Sequence, residues 1–131
     1  MEGIKNKLSG YFSGQEKVVM AFLYGSYARG TAMADSDVDI AVYLRESYTD
    51  KDVERIWDEA AALLGKDVEL LVLNNAKENI AWSAIRGVRL VIKDWAFYIR
   101  YMLRTSFDAM DFQGTVEDIW RMKQELKHAR N

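Results

Sequence analysis

The chain has 131 residues, half of them hydrophobic and 12% aromatic, with a net charge of −2 and neither cysteine nor proline. That length suits one domain with a single core, and the apolar content excludes a disordered chain. The composition also excludes disulfides, thiolate metal ligands and a cysteine nucleophile, a strong basic footprint for direct nucleic-acid binding, and a membrane span, since no apolar run reaches about 18 residues. The first residues, MEGIKNKLSGYFSG, lack a continuous apolar stretch and do not read as a signal peptide. The expected compartment is a reducing cytoplasm.

Ile4, Leu8, Tyr11 and Phe12 recur at helical spacing and predict a short amphipathic helix stopped by Gly14. Residues 18–24 (VVMAFLY) form a nearly continuous apolar run, the mark of a buried strand. Gly25-Ser26 then turns the chain, and residues 27–33 suit one or two helical turns. Residues 37–44 alternate strictly, so Asp37, Asp39, Ala41 and Tyr43 share one strand face and Val38, Ile40, Val42 and Leu44 the other. Thr49 or Asp50 caps a helix reaching about Leu64, with Val53, Ile56, Trp57, Ala60, Leu63 and Leu64 on its apolar side and Gly65 as its stop.

Residues 67–73 (DVELLVL) predict a third strand, Asn74-Asn75 a turn into a helix over residues 76–85, and Gly87 the entry to a short strand over 88–92. Asp94 caps a helix with Trp95, Tyr98, Ile99, Met102, Ser106 and Met110 along one stripe, and Gly114 breaks it. Thr115-x-x-Asp118 imitates a capping box. A last helix carries Val116, Ile119, Trp120 and Lys123, and its basic end (Lys127, His128, Arg130) suits the helix dipole. The order α-β-α-β-α-β-α-β-α-α predicts a single α/β domain over 1–131. Its core spans about 15–93, with a helical hairpin over about 94–130.

The chemistry concentrates in LYGSYARGTAMADSDVDIAVYL, where Gly25-Ser26 precedes Asp37-Val38-Asp39 by ten residues. This fixed spacing arises by chance about once in a thousand chains of this length. Asp37 and Asp39 emerge on one strand face, so their carboxylates can converge on one hard cation or bridge two. Gly25 lets backbone approach a phosphate, Ser26 adds a hydroxyl donor, and Arg29 lies one turn further on, placed to reach a phosphate. Together these parts suit a nucleoside triphosphate with Mg²⁺. A third carboxylate is expected from the next strand, where Asp67 and Glu69 are both candidates. Glu69, between Val68 and Leu70, is preferred because an unpaired carboxylate deep in a strand is costly. Trp82 reads either as core or as acceptor surface. His128 reads as a surface residue.

The G-S-x10-D-x-D pattern and the small size resemble the minimal nucleotidyltransferase (MNT) family of the DNA polymerase β-type superfamily, over roughly residues 18–92. The resemblance implies a small nucleotidyltransferase fold with a mixed sheet flanked by helices. It implies ATP as co-substrate and Mg²⁺ as cofactor. Gly25 and Ser26 would hold the triphosphate, Asp37 and Asp39 would bind metal, and Glu69 would complete the metal and catalytic set. The family usually has Asp at that last position; the longer Glu69 departs from the pattern. The segment Ile85-Arg86-Gly87-Val88-Arg89-Leu90 resembles the family's closing helix-to-strand element.

MNT proteins of this size further resemble the antitoxins of type VII-like HEPN–MNT toxin–antitoxin pairs. That likeness implies transfer of AMP from ATP to a tyrosine of the cognate HEPN ribonuclease toxin, with no direct nucleic-acid or membrane partner. The alternatives are a non-catalytic antitoxin, masking its toxin through anchors such as Trp95, Tyr98, Met102, Trp120 and Met122, or a small-molecule nucleotidyltransferase of the antibiotic-modifying kind.

Overall fold

The computed structural model describes residues 2–109 together with 121, 123 and 124. Helix α1 (Glu2–Ser13) leads into β1 (Val18–Tyr24), a short α2 (Gly25–Arg29), β2 (Val38–Leu44), α3 (Asp50–Leu64) and β3 (Val68–Val72). A 3₁₀ turn (Leu73–Asn75), α4 (Glu78–Ile85), β4 (Val88–Ile92) and α5 (Trp95–Ala109) follow. The strands lie in the order β3-β2-β1-β4. β1 runs antiparallel to both β2 and β4, and β3 runs parallel to β2. The mixed sheet follows from the connections. α3 carries the chain over one face and returns it alongside β2, as a parallel pair requires.

Both faces of the sheet are covered, which is why β1 reads as unbroken apolar sequence. Ala21 and Leu23 join Val38, Ile40, Val42 and Leu44 beneath Leu8 and Phe12 of α1 and Ile56 and Ala60 of α3. Met20, Phe22 and Ala41 face the other way, against Ala81, Trp82 and Ile85 of α4 and Tyr98 and Met102 of α5. Asp39 shares the α4–α5 face of β2 with Ala41. The helices cover Ala41 and leave the start of the strand open, where the carboxylates stand.

The predicted caps at α3 are present. Thr49 Oγ1 accepts from Asp52 N at 3.3 Å, and Asp52 Oδ2 accepts from Thr49 N at 2.8 Å. Such a box contributes about 1 kcal/mol. Gly65 closes the helix in the left-handed region at φ 62°, donating to Ala61 O. Trp57 Nε1 donates to Val68 O at 2.6 Å and ties α3 to β3. Leu63 is 39% exposed and belongs to the solvent side, contrary to the predicted stripe.

Three other expectations are corrected. α2 begins at Gly25 rather than Tyr27 and ends at Arg29, because Gly30 takes the left-handed conformation at φ 74° and caps it. α4 begins at Glu78, because Asn74 is held by the sheet: its Oδ1 accepts from Leu44 N at 2.9 Å and its Nδ2 donates to Leu44 O at 2.6 Å. The buried stripe of α5 includes Tyr101 and Thr105, which the periodicity missed. Tyr101 Oη donates to Leu73 O at 3.1 Å, and burial raises its phenol to a pKa of about 12. Tyr98 and Met102 are fully buried in the core, so neither serves as a docking anchor.

Arg121, Lys123 and Gln124 are helical. Met110, the Gly114 break, the Thr115–Asp118 box, Val116, Ile119, Trp120, Met122 and the basic end with His128 lie outside the described residues.

Asn74 does the work of a strand backbone, and removing its amide strands both polar groups of Leu44. Asn74→Ala is expected to lower unfolding free energy by about 2 kcal/mol. Urea denaturation monitored by tryptophan fluorescence checks this; an unchanged midpoint would mean that water replaces the amide without loss.

Candidate active site

The site is built where β1 ends. Tyr24 is the last residue of the strand, and Gly25 turns the chain with φ 71°, in the left-handed region that favours glycine. A Cβ at Gly25 would also force the Asp39 carboxylate to move. A Cβ there would sit 2.1 Å from Asp39 Oδ2 and 3.0 Å from Asp39 Cγ. The turn therefore rests directly on the first acid inside β2. No side chain caps α2, so its leading N–H groups remain available to an anion beside half-buried Ser26.

Asp37 stands one residue before β2 and is exposed; Asp39 lies within the strand and is half-buried. In the register, Asp39 faces Tyr24 on β1 and Glu69 on β3. Tyr24, Asp39 and Glu69 thus form a row across three strands, with neighbours about 4.8 Å apart along the hydrogen-bonding direction. The register sets Glu69 beside Asp39 and leaves Asp67 just before β3, next to Asp37 and Val38. Asp67 precedes β3, its carbonyl accepts from Val38 N at 2.9 Å, and it lines a separate cleft of about 470 Å³ with Asp35, Ser36 and Lys66. The reason given from sequence does not hold, however. Glu69 is exposed, not deep in the strand, and lies beside Asp39 in the register.

The electrostatics follow from that row. Burial pushes the Asp39 carboxyl above its ordinary range, the charges of Asp37 and Glu69 push it further, and Arg29 opposes them. Burial, then the charges of Asp39 and Glu69, push the Tyr24 phenol up. Among the described residues no three acidic or histidine side chains stand close enough to form a ready metal cage. The donor set nonetheless fits a hard divalent cation: carboxylate oxygens on one face, from neighbouring strands, beside a turn suited to phosphate.

Arg29 lies at the far end of α2 and is exposed. With Gly25 and Tyr24 it lines an open cleft of about 630 Å³, whose other wall is Trp82, Ser83, Arg86, Gly87 and Val88. Tyr24, Ser83 and Arg86 were not singled out from the sequence. Tyr24 could have been, since a residue adjoining the Gly-Ser turn must border whatever the turn holds. Trp82, left open before, is 3% exposed and belongs to the core while its edge borders the cleft.

A model of the polymerase beta nucleotidyltransferase family matches residues 6–95. The protein adenylyltransferase MntA of Thermococcus cleftensis is 38% identical over 66 residues, covering 50% of this chain and 67% of that one. The putative protein adenylyltransferase MJ0435 of Methanocaldococcus jannaschii is 38% identical over 58 residues, covering 44% of this chain and 62% of that one. Among solved structures, a chain of a toxin–antitoxin crystal structure with AMP-PNP superposes with a TM-score of 0.66 at 20% identity, over 95% of this chain and 96% of that one. A chain from the complex of a tri-AMPylated Shewanella oneidensis HEPN toxin with its MNT antitoxin gives a TM-score of 0.62 at 17% identity, over 98% and 96%. At these identities the structural likeness is one of fold.

Two outcomes follow from the crowding at Asp39. Its raised pKa means the folded state holds that proton more tightly than the unfolded chain does. The associated stability is present at acid pH and lost as pH rises through the folded pKa. Asp39→Asn is therefore expected to raise the thermal midpoint at pH 7 in divalent-free buffer, with the gain vanishing below the usual carboxylate range. Thermal unfolding across pH checks this; a pH-independent gain would point to packing instead. Gly25→Ala is expected to cost about 1–3 kcal/mol through its left-handed backbone and its clash with Asp39, read by denaturant unfolding.

Proposed function

The chain belongs to the polymerase beta nucleotidyltransferase family, and on that premise we propose that it is a protein adenylyltransferase acting as an antitoxin. It transfers AMP from ATP to a tyrosine of a cognate HEPN ribonuclease toxin and silences it, in the cytoplasm. The observation that carries this reading is the Gly25 turn packed on Asp39, with Glu69 in register beside it. The likeness to named protein adenylyltransferases supports the adenylyl donor. The fold shared with chains of toxin–antitoxin complexes supports the partner.

Each part has a chemical task. The Gly25-Ser26 turn and Arg29 hold the triphosphate, fixing its α-phosphorus near the acid row. The acceptor phenol attacks that phosphorus: its oxygen–phosphorus bond forms, the bond from the α-phosphorus to the bridging oxygen breaks, and pyrophosphate leaves with the electron pair. The phenolic proton passes to Glu69, which is exposed at the open end of the row and reachable by a macromolecule. Asp37 and Asp39, with Glu69, would hold Mg²⁺. When bound, that ion neutralises the triphosphate and the charge developing on it. Ionised Asp39 is disfavoured in the fold, so a cation offsets its repulsion with Asp37 and Glu69.

The test is transfer of label from α-labelled ATP, with Mg²⁺, to the product of the neighbouring gene. Label on a tyrosine of that protein is expected. Asp39→Asn and Glu69→Gln are each expected to reduce transfer about a hundredfold or more. If folded Asp39→Asn still neutralises the toxin one to one, stoichiometric masking replaces catalysis as the antitoxin mechanism.

A further inference from the structure

Arg86 immediately precedes Gly87, and Gly87 lies hard against β1. A Cβ at Gly87 would sit 2.2 Å from Leu23 O and 3.1 Å from Tyr24 Cα. That contact fixes the end of α4 beside the strand end where Gly25 turns. Arg86 is exposed, and its guanidinium lies over the Trp82 ring, 5.5 Å from the centroid. The indole beneath it is buried among the residues of α4 and α5. Stacking uses the flat face of a guanidinium and leaves its in-plane N–H donors free. No carboxylate among the described residues engages those donors.

Arg29 from α2 and Arg86 from α4 line the same cleft, together with Gly25. The acids lie on the β2–β3 side of β1, and the cleft lies on the β4 side. A triphosphate with its α-phosphorus at the acid row, crossing the Gly25 turn, brings its β- and γ-phosphates into this cleft. Adenine has no comparable seat there, since Arg86 covers the Trp82 ring.

We propose that Arg86 is a second phosphate-binding residue, holding the β- and γ-phosphates opposite Arg29 and stabilising the charge on departing pyrophosphate. The assignment rests on the nucleotidyl-transfer reading above. Arg86 exchanges no proton; it binds the leaving group through paired charge-assisted hydrogen bonds.

The experiment is calorimetric titration of the whole chain, in Mg²⁺, with ATP, inorganic pyrophosphate and AMP. Arg86→Gln is expected to weaken ATP and pyrophosphate about tenfold and to leave AMP unchanged. Arg86→Lys, which keeps the charge without the planar fork, is expected to fall between. Because Arg86 is exposed, both variants should keep the wild-type thermal midpoint. Wild-type affinity for ATP and pyrophosphate in Arg86→Gln would overturn the assignment, as would an equal loss for AMP, which would put the nucleoside in the cleft. If the wild-type chain binds none of the three, the nucleotidyl-transfer reading fails, and Arg86 with it.

Discussion

The contact between Gly25 and the Asp39 carboxylate is the constraint on which the rest of the site depends. β1 and β2 run antiparallel with Tyr24 opposite Asp39, so the residue that follows Tyr24 must pass over that acid. Only glycine tolerates the backbone angle at low cost, and any Cβ there would displace the carboxylate. Turn, acid and register are therefore one unit. A slip of one residue between the strands would turn Asp39 toward the α1–α3 core and bring Val38 to the Gly25 turn.

This unit works against the stability of the fold. Asp39 is partly desolvated and flanked by Asp37 and Glu69, so its ionised form is the form the folded chain disfavours. The sheet tolerates this because the rest of it is closed on both faces. Ala21, Leu23, Ile40 and Val42 are fully buried on one side, and Met20, Phe22 and Ala41 on the other. The acids occupy the stretch of sheet that α4 and α5 leave uncovered. Strain and opportunity for a ligand thus coincide at one end of two strands.

Much of this was legible in the residues, and for identifiable reasons. The run VVMAFLY announced a central strand because both its faces are packed. Period-two alternation put Asp37 and Asp39 on one face, and Thr49 and Gly65 marked the ends of α3. What stayed hidden depends on pairing between distant segments. Nothing local says that Glu69 aligns with Asp39, and the burial argument that selected it fails because Glu69 is exposed. The early stop of α2 depended on Gly30 adopting a left-handed cap. The late start of α4 depended on Asn74, read as a turn residue, bonding to Leu44 thirty residues away. Arg86 stood in a segment flagged for its likeness to a closing element. Its nearness to the Gly25 turn emerges only from the contact of Gly87 with β1.

That contact also bears on motion. One wall of the cleft grows from the end of β1 through Gly25, and the other is pressed onto the same strand end through Gly87. Both are anchored to a single rigid element, with a carbonyl oxygen as the spacer between them. The spacing of the two walls is thus referred to the packing at the end of β1. Whatever enters the cleft meets two walls that share one reference point, the end of β1.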